Sequence, residues 1–120
     1  MKADNQIQIE SKAFAIRIIK LYKYLKENKQ VYVLSKQVLR SGTSIGANVR
    51  ESVNAQSRMD FINKLSIALK EANETEYWLE LLHESDYLNE DEFTSLYNDC
   101  GKIAATLTKI IKTTKDVAEK

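Results

Sequence analysis

Apolar side chains recur at intervals of four and three residues along most of this chain. Phe61, Leu65, Ala68, Ala72, Thr75, Leu79 and Leu82 fall on one helical face. A second seam runs Phe93, Leu96, Cys100, Ile103, Leu107, Ile110, Thr114 and Val117, and a third Ile7, Phe14, Ile18, Leu21 and Leu25. Side chains at this spacing look in one direction and are buried only against other helices. No proline interrupts the 120 residues. The pattern predicts an all-α fold, an antiparallel up-down-up-down four-helix bundle, as a single domain over residues 1–120.

The first helix is expected over residues 9–27, ending in the polar run Glu27-Asn28-Lys29-Gln30. A second follows from Val33 to Ala55. The third has a start signal in Ser57 with Asp60 three residues on, where a carboxylate favours the positive end of the helix dipole. It should run to Glu84, roughly 40 Å at 1.5 Å per residue. The fourth opens at Asn89, paired with Glu92, and reaches Lys115, leaving residues 116–120 frayed. Short connections favour antiparallel neighbours.

The second helix differs from the rest, because its apolar side mixes Leu34, Val38, Ile45, Val49 and Val53 with Gly42 and Gly46. Each glycine costs about 1 kcal/mol relative to alanine inside a helix. The pair bares two backbone patches on one face, which permits close approach of another helix; a local kink is the alternative.

With 43% apolar and 29% charged residues, the composition is that of an ordinary water-soluble chain, long enough to bury a core without staples. Cys100 is the only cysteine, so no disulfide forms within the chain, and its place on a seam makes it a small buried hydrophobe. No apolar run approaches the ~18 residues of a membrane span. The polar stretch Met1–Gln8 lacks the layout of a signal peptide. A cytoplasmic protein with no membrane partner is expected.

The net charge is +1, but it is unevenly spread. Residues 1–40 carry nine Lys/Arg against three Asp/Glu, whereas residues 71–99 carry ten Asp/Glu and no Lys/Arg. Such asymmetry orients a molecule against a partner or against its own copies. Segregated solvated faces would look the same.

No reaction can be read from the residues. Gly42-Thr43-Ser44-Ile45-Gly46 lacks the Gly-Lys-Ser/Thr ending of a phosphate loop and no strand precedes it. Glu80-x-x-His83 has the spacing of a di-iron ligand pair, but the chain has one histidine, so only a symmetric dimer would complete that site. No catalytic residue, cofactor, metal site or small-molecule substrate is assigned. Two sets of surface residues remain. Arg40, Ser44, Asn48 and Glu51 fall within an arc of about 80° on the second helix, with Glu71, Glu74 and Trp78 at helical spacing on the third. They form either a wet face or a subunit contact. Lys12, Arg17, Lys20, Lys23 and Lys26, interleaved with Tyr22 and Tyr24, are ingredients of a nucleic-acid surface or of a plain solubilising face.

Ser44-Ile45-Gly46-Ala47-Asn48-Val49-Arg50-Glu51, Asp60-Phe61-Ile62, Ser66-Ile67-Ala68-Leu69-Lys70-Glu71-Ala72 and Glu74-Thr75-Glu76-Tyr77-Trp78-Leu79 occur in that order. Together they resemble the 23S rRNA intervening-sequence protein family, from about residue 10 to 115. The resemblance implies homopentameric rings of four-helix bundles and no known reaction. A related branch comprises accessory proteins of diversity-generating retroelements, which work with a reverse transcriptase and bind nucleic acid. Those are strongly basic, and this chain is nearly neutral. The resemblance maps onto Arg40, Ser44, Asn48, Glu51, Phe61, Glu71, Glu74 and Trp78, and it favours subunit contact and packing over catalysis. A non-enzymatic homo-oligomer, a pentamer, is therefore expected, with RNA or DNA binding through the first helix as the alternative.

Overall fold

The structure is a computed structural model that describes residues 2–119, with side chains from residue 6 to residue 117. It contains four helices, α1 (Lys2–Asn28), α2 (Val33–Val53), α3 (Arg58–Glu84) and α4 (Glu90–Glu119), in an up-down-up-down bundle. The Cα envelope measures 51 × 22 × 21 Å, two helices wide in each short direction. Contacts run α1 to α2, α2 to α3 and α3 to α4, and a much thinner α1–α4 contact closes the square. Helices α1 and α3 are therefore diagonal neighbours, as are α2 and α4.

The start signals work as their chemistry requires. Ser57 accepts a hydrogen bond from the Asp60 amide at 3.0 Å, and the Asp60 carboxylate accepts one from Gln56 N at 3.3 Å. At α4, Asn89 accepts from Glu92 N at 2.8 Å while the Glu92 carboxylate accepts from Asn89 N at 3.3 Å. Both caps satisfy an amide that the first turn leaves orphaned, and only the Asn89–Glu92 pair is reciprocal, since Asp60 reaches past Ser57 to Gln56. Helix α3 stops with Asp86 in the left-handed region (φ 66°), Tyr87 N bonding Leu82 O and Asp86 N bonding His83 O. That is a Schellman termination built without glycine.

Three boundaries differ from expectation. Helix α1 starts at Lys2, well before residue 9, because Ile7 is already buried and Gln6 bonds Glu10 one turn on. Helix α2 ends at Val53, where Asn54 turns back onto Glu51 and Ser52. Helix α4 continues to Glu119, since nothing after Lys115 breaks it. The seams also outrun the core at one end of the bundle. Val53 and Val117, expected inside, are about half exposed.

Most of the other seam residues meet in one core, with Leu34, Phe61 and Phe93 half-buried against it. Ile7, Phe14, Ile18 and Leu25 of α1, Val38, Ile45 and Val49 of α2, Leu65, Leu79 and Leu82 of α3, and Cys100, Ile103 and Leu107 of α4 are buried together. Ser11, Ser35, Ser41, Ser52 and Thr75 are also buried. Each donates its hydroxyl to a backbone carbonyl three or four residues back, and no buried polar side-chain atom among the described residues lacks a partner. Small polar side chains thus enter the core without the cost of an unsatisfied group, about 1–3 kcal/mol.

The glycines of α2 serve close approach, and the helix runs through both without interruption. A Cβ on Gly42 would lie 2.8 Å from both γ carbons of Ile18, and one on Gly46 would lie 3.3 Å from the Ser11 carbonyl oxygen. Ile18 is β-branched and fully buried, so its γ carbons have nowhere to go. Gly101 on α4 is different, with no atom within 4 Å of such a Cβ.

Alanine at the two positions should therefore shift stability in opposite directions. Gly101→Ala gains helix propensity alone and should stabilise by about 0.5–1 kcal/mol. Gly42→Ala gains the same propensity but overpacks Ile18, and should destabilise by about 1–2 kcal/mol net. Urea unfolding followed by circular dichroism reads both. Stabilisation by Gly42→Ala would show that the α1–α2 approach is looser than described.

Candidate functional site

The polar arc of α2 faces α3 along the outer edge of the bundle. Arg40 is its centre. Its guanidinium spans to Glu71 at 3.2 Å and to Glu74, the two carboxylates standing three residues apart on α3. The indole of Trp78, half-buried, donates to the same Glu74 oxygen at 3.2 Å. Below this clasp the Thr75 and Ser41 hydroxyls meet at 2.8 Å inside the α2–α3 interface. Ser44 donates to Arg40 O at 2.7 Å, and Asn48 donates to Ser44 O at 2.9 Å. Glu51 lies 3.9 Å from Lys64. The residues singled out on α2 and α3 thus converge on one ladder, and most of its polar groups are engaged within the chain.

The α1 cations divide. Lys12, Lys20, Lys23 and Lys26 are exposed, and Lys26 stands over the Tyr22 ring at 5.8 Å. Arg17 belongs elsewhere. It crosses the thin α1–α4 contact, donating to Asp99 at 2.5 Å and to the Ser95 hydroxyl at 2.8 Å. No periodic signal joins positions 82 residues apart, so the sequence offered nothing to separate Arg17 from its lysine neighbours.

The α3–α4 groove carries the other polar cluster. Tyr97 donates to Glu80 at 3.1 Å, and His83 pairs with Glu90 at 2.8 Å while stacking on Phe93 with centroids 4.2 Å apart. The Glu80-x-x-His83 pair is thereby split between two different partners. Partial burial, and next the neighbouring Glu80 charge, raise the Glu76 carboxyl above its ordinary value. The Tyr97 hydroxyl is also raised, first by its bond to Glu80. No group of three or more His, Cys, Asp or Glu side chains arranged to hold a metal occurs among the described residues.

Cys100 is fully buried, with its sulfur 3.3 Å from Ala72 O. Burial pushes its thiol up to about 12, with Glu76 and Asp99 adding to the rise. The thiolate, which is the reactive form, is therefore scarce at neutral pH.

The fold and the α2–α3 ladder define a class, an all-α four-helix bundle whose polar groups are spent on clasping its own helices. The chain belongs to the 23S rRNA-intervening sequence protein family, whose pattern it matches over residues 3–109. A solved structure from Bacteroides thetaiotaomicron VPI-5482, described as a protein with unknown function from the S23 ribosomal protein family, superposes with a TM-score of 0.91. It is 56% identical, and the alignment covers 92% of this chain and 98% of that one. No curated protein matches this chain. No helix of the described residues is long and apolar enough to cross a membrane.

The burial of Cys100 makes a direct prediction. A thiol reagent at pH 8 should leave the folded protein unmodified for as long as an exposed cysteine would take minutes to react. Labelling should then rise in step with global unfolding in urea. Fast labelling of folded protein would mean that α4 opens locally around Cys100.

Proposed function

We propose that this chain is a self-assembling helical bundle, a non-enzymatic scaffold or binding module built as a homopentameric ring. One observation carries the reading. The end of the bundle where α1 meets α2 presents Lys20, Lys23, Lys26, Lys29 and Lys36, while the same end of α3 and α4 carries ten acids and no Lys/Arg over residues 71–99. Opposite charge on opposite flanks suits a head-to-tail contact, and head-to-tail contacts close into rings when the rotation permits. The resemblance to ring-forming bundle proteins supplies the number five.

A second reading draws on the four exposed α1 lysines, Lys12, Lys20, Lys23 and Lys26, as a surface for RNA or DNA. Arg17 adds little to it, because its guanidinium is held by Asp99 and Ser95. Repetition around a ring would give weak sites avidity on one strand.

Light scattering at low and high salt tests the main reading. A particle of about five 13.8 kDa chains is expected, and its loss in salt would place the charge division at the contact. A monomer at micromolar concentration sinks the reading. On the same preparation, affinity for a single-stranded oligonucleotide should fall steeply between about 50 and 200 mM salt if the second reading holds. Absence of binding at low salt removes it.

A further inference from the structure

Two helices of this bundle carry exposed apolar residues along their middle turns, whereas those of α2 and α4, Val33, Val53 and Val117, stand singly near helix ends. On α1, Ile9, Ile16 and Ile19 are 64%, 47% and 40% exposed, and they share an arc of about 80° with Lys12 and Lys23. On α3, Ile67 and Tyr77 are 42% and 54% exposed and share an arc of similar width with the half-buried Leu81. Isoleucine is a weaker helix former than the lysine, glutamine or alanine that would serve on a wet face. Single exposed apolar residues need no explanation, but stripes of them mark contact surfaces.

The stripes match in three respects. Both helices have 27 residues and start at the same end of the bundle, and each stripe occupies the middle of its helix. Ile9 to Ile19 and Ile67 to Tyr77 each span about 15 Å. The surrounding charge is opposite. Between Ile9 and Lys26 the outer face of α1 carries four lysines and no acid, whereas from Glu71 to the end of α3 there are only acids. Lys70 and Glu74 also fall inside the α3 stripe, between Ile67 and Tyr77, and Lys70 is its one cation. Because α1 and α3 are diagonal, the stripes look away from each other and cannot meet within one chain. The α2–α3 polar ladder is a weaker candidate for the contact, since Arg40, Ser44 and Asn48 are already hydrogen-bonded inside the chain.

We propose that copies of this chain join through these two stripes, Ile9, Ile16 and Ile19 of α1 on one copy seating against Ile67, Tyr77 and Leu81 of α3 on the next. This rests on the self-assembly reading above and adds the surfaces that perform it. The contact is heterologous, using a different patch on each side, so every copy in the assembly has one donor face and one acceptor face. Lys23 of one copy then lies near Glu84 of its neighbour.

Two double variants test it, Ile16→Glu/Ile19→Glu on α1 and Ile67→Lys/Tyr77→Lys on α3. All four positions are exposed, so both variants should melt within a few degrees of the native chain. Each alone should be a monomer of 13.8 kDa, its self-association weakened by about 100-fold as an unpaired charge enters an apolar contact. Mixed in equal amounts, they should recover a particle of at least two chains through the one intact pair of faces, and larger ones where the opposite charges of the altered faces attract. Thr108→Lys, on the outer face of α4, should leave the native mass unchanged. If the α1 variant fails to fold, Lys20→Glu/Lys23→Glu reads the same surface.

Several results overturn the proposal. Native-size assemblies from both double variants would remove these surfaces and leave the self-assembly reading standing. Loss of assembly in the α1 variant alone would replace the head-to-tail contact with an α1–α1 one. A native chain that is monomeric defeats the self-assembly reading as well. If that monomer also sediments with phosphatidylserine vesicles in an Ile16- and Ile19-dependent way, the α1 stripe meets a lipid surface instead.

Discussion

How closely α1 can approach α2 sets the geometry of this bundle. Gly42 leaves no room for even a methyl group beneath Ile18, and Gly46 sits against the backbone of Ser11. Two glycines in the middle of a helix weaken it locally, and the close packing they permit offsets that loss. With α1 drawn onto α2, its contact with α4 is thin, and a single arginine spans the gap. Arg17 reaches Asp99 and Ser95 with its forked guanidinium, a geometry that lysine could not reproduce with one ammonium. The two sides of the bundle are therefore held by different physics, close packing on one and a polar bridge on the other.

The same economy governs the polar side chains. Buried hydroxyls donate to nearby backbone carbonyls, Arg40 gathers two carboxylates of α3, and Tyr97 and His83 each take one acid in the α3–α4 groove. Ion pairs as exposed as Arg40's are worth about 1 kcal/mol or less. Their service is to fix the register of α2 on α3 more than to add stability. Once these groups are paired, what the molecule offers a partner is its outside: four lysines and three isoleucines on α1, and an acidic flank with its own apolar stripe on α3.

Much of the fold was legible in the sequence because helical periodicity and capping are local signals. The three seams gave the core nearly residue by residue, and Ser57 with Asp60 and Asn89 with Glu92 marked two helix starts correctly. The glycine pair marked a close helix contact, since bare backbone four residues apart is a local signal too. Failures clustered at the bundle end, where periodicity continues but neighbours do not, so Val53 and Val117 stay exposed. The partner of Arg17 was not legible, since its bridge joins residues 82 apart. Glu71 and Glu74, read from the sequence as part of a wet face or a subunit contact, meet Arg40 of α2 within the chain. The apolar stripe of α1 was missed for a simpler reason: that helix has apolar residues on two faces, and only the more regular one reads as a seam.

The up-down order of the helices also bears on how the chain finds its fold. Three of its four interfaces join helices consecutive in sequence, separated by short connections. Each can form as a local hairpin with little loop-closure entropy to overcome. The only interface that must bring distant parts of the chain together is α1 on α4, and it is also the thinnest. Topologies dominated by such local contacts belong among the fast folders. The bundle can thus assemble stepwise from neighbours, with closure of the Arg17 bridge left as its one long-range event.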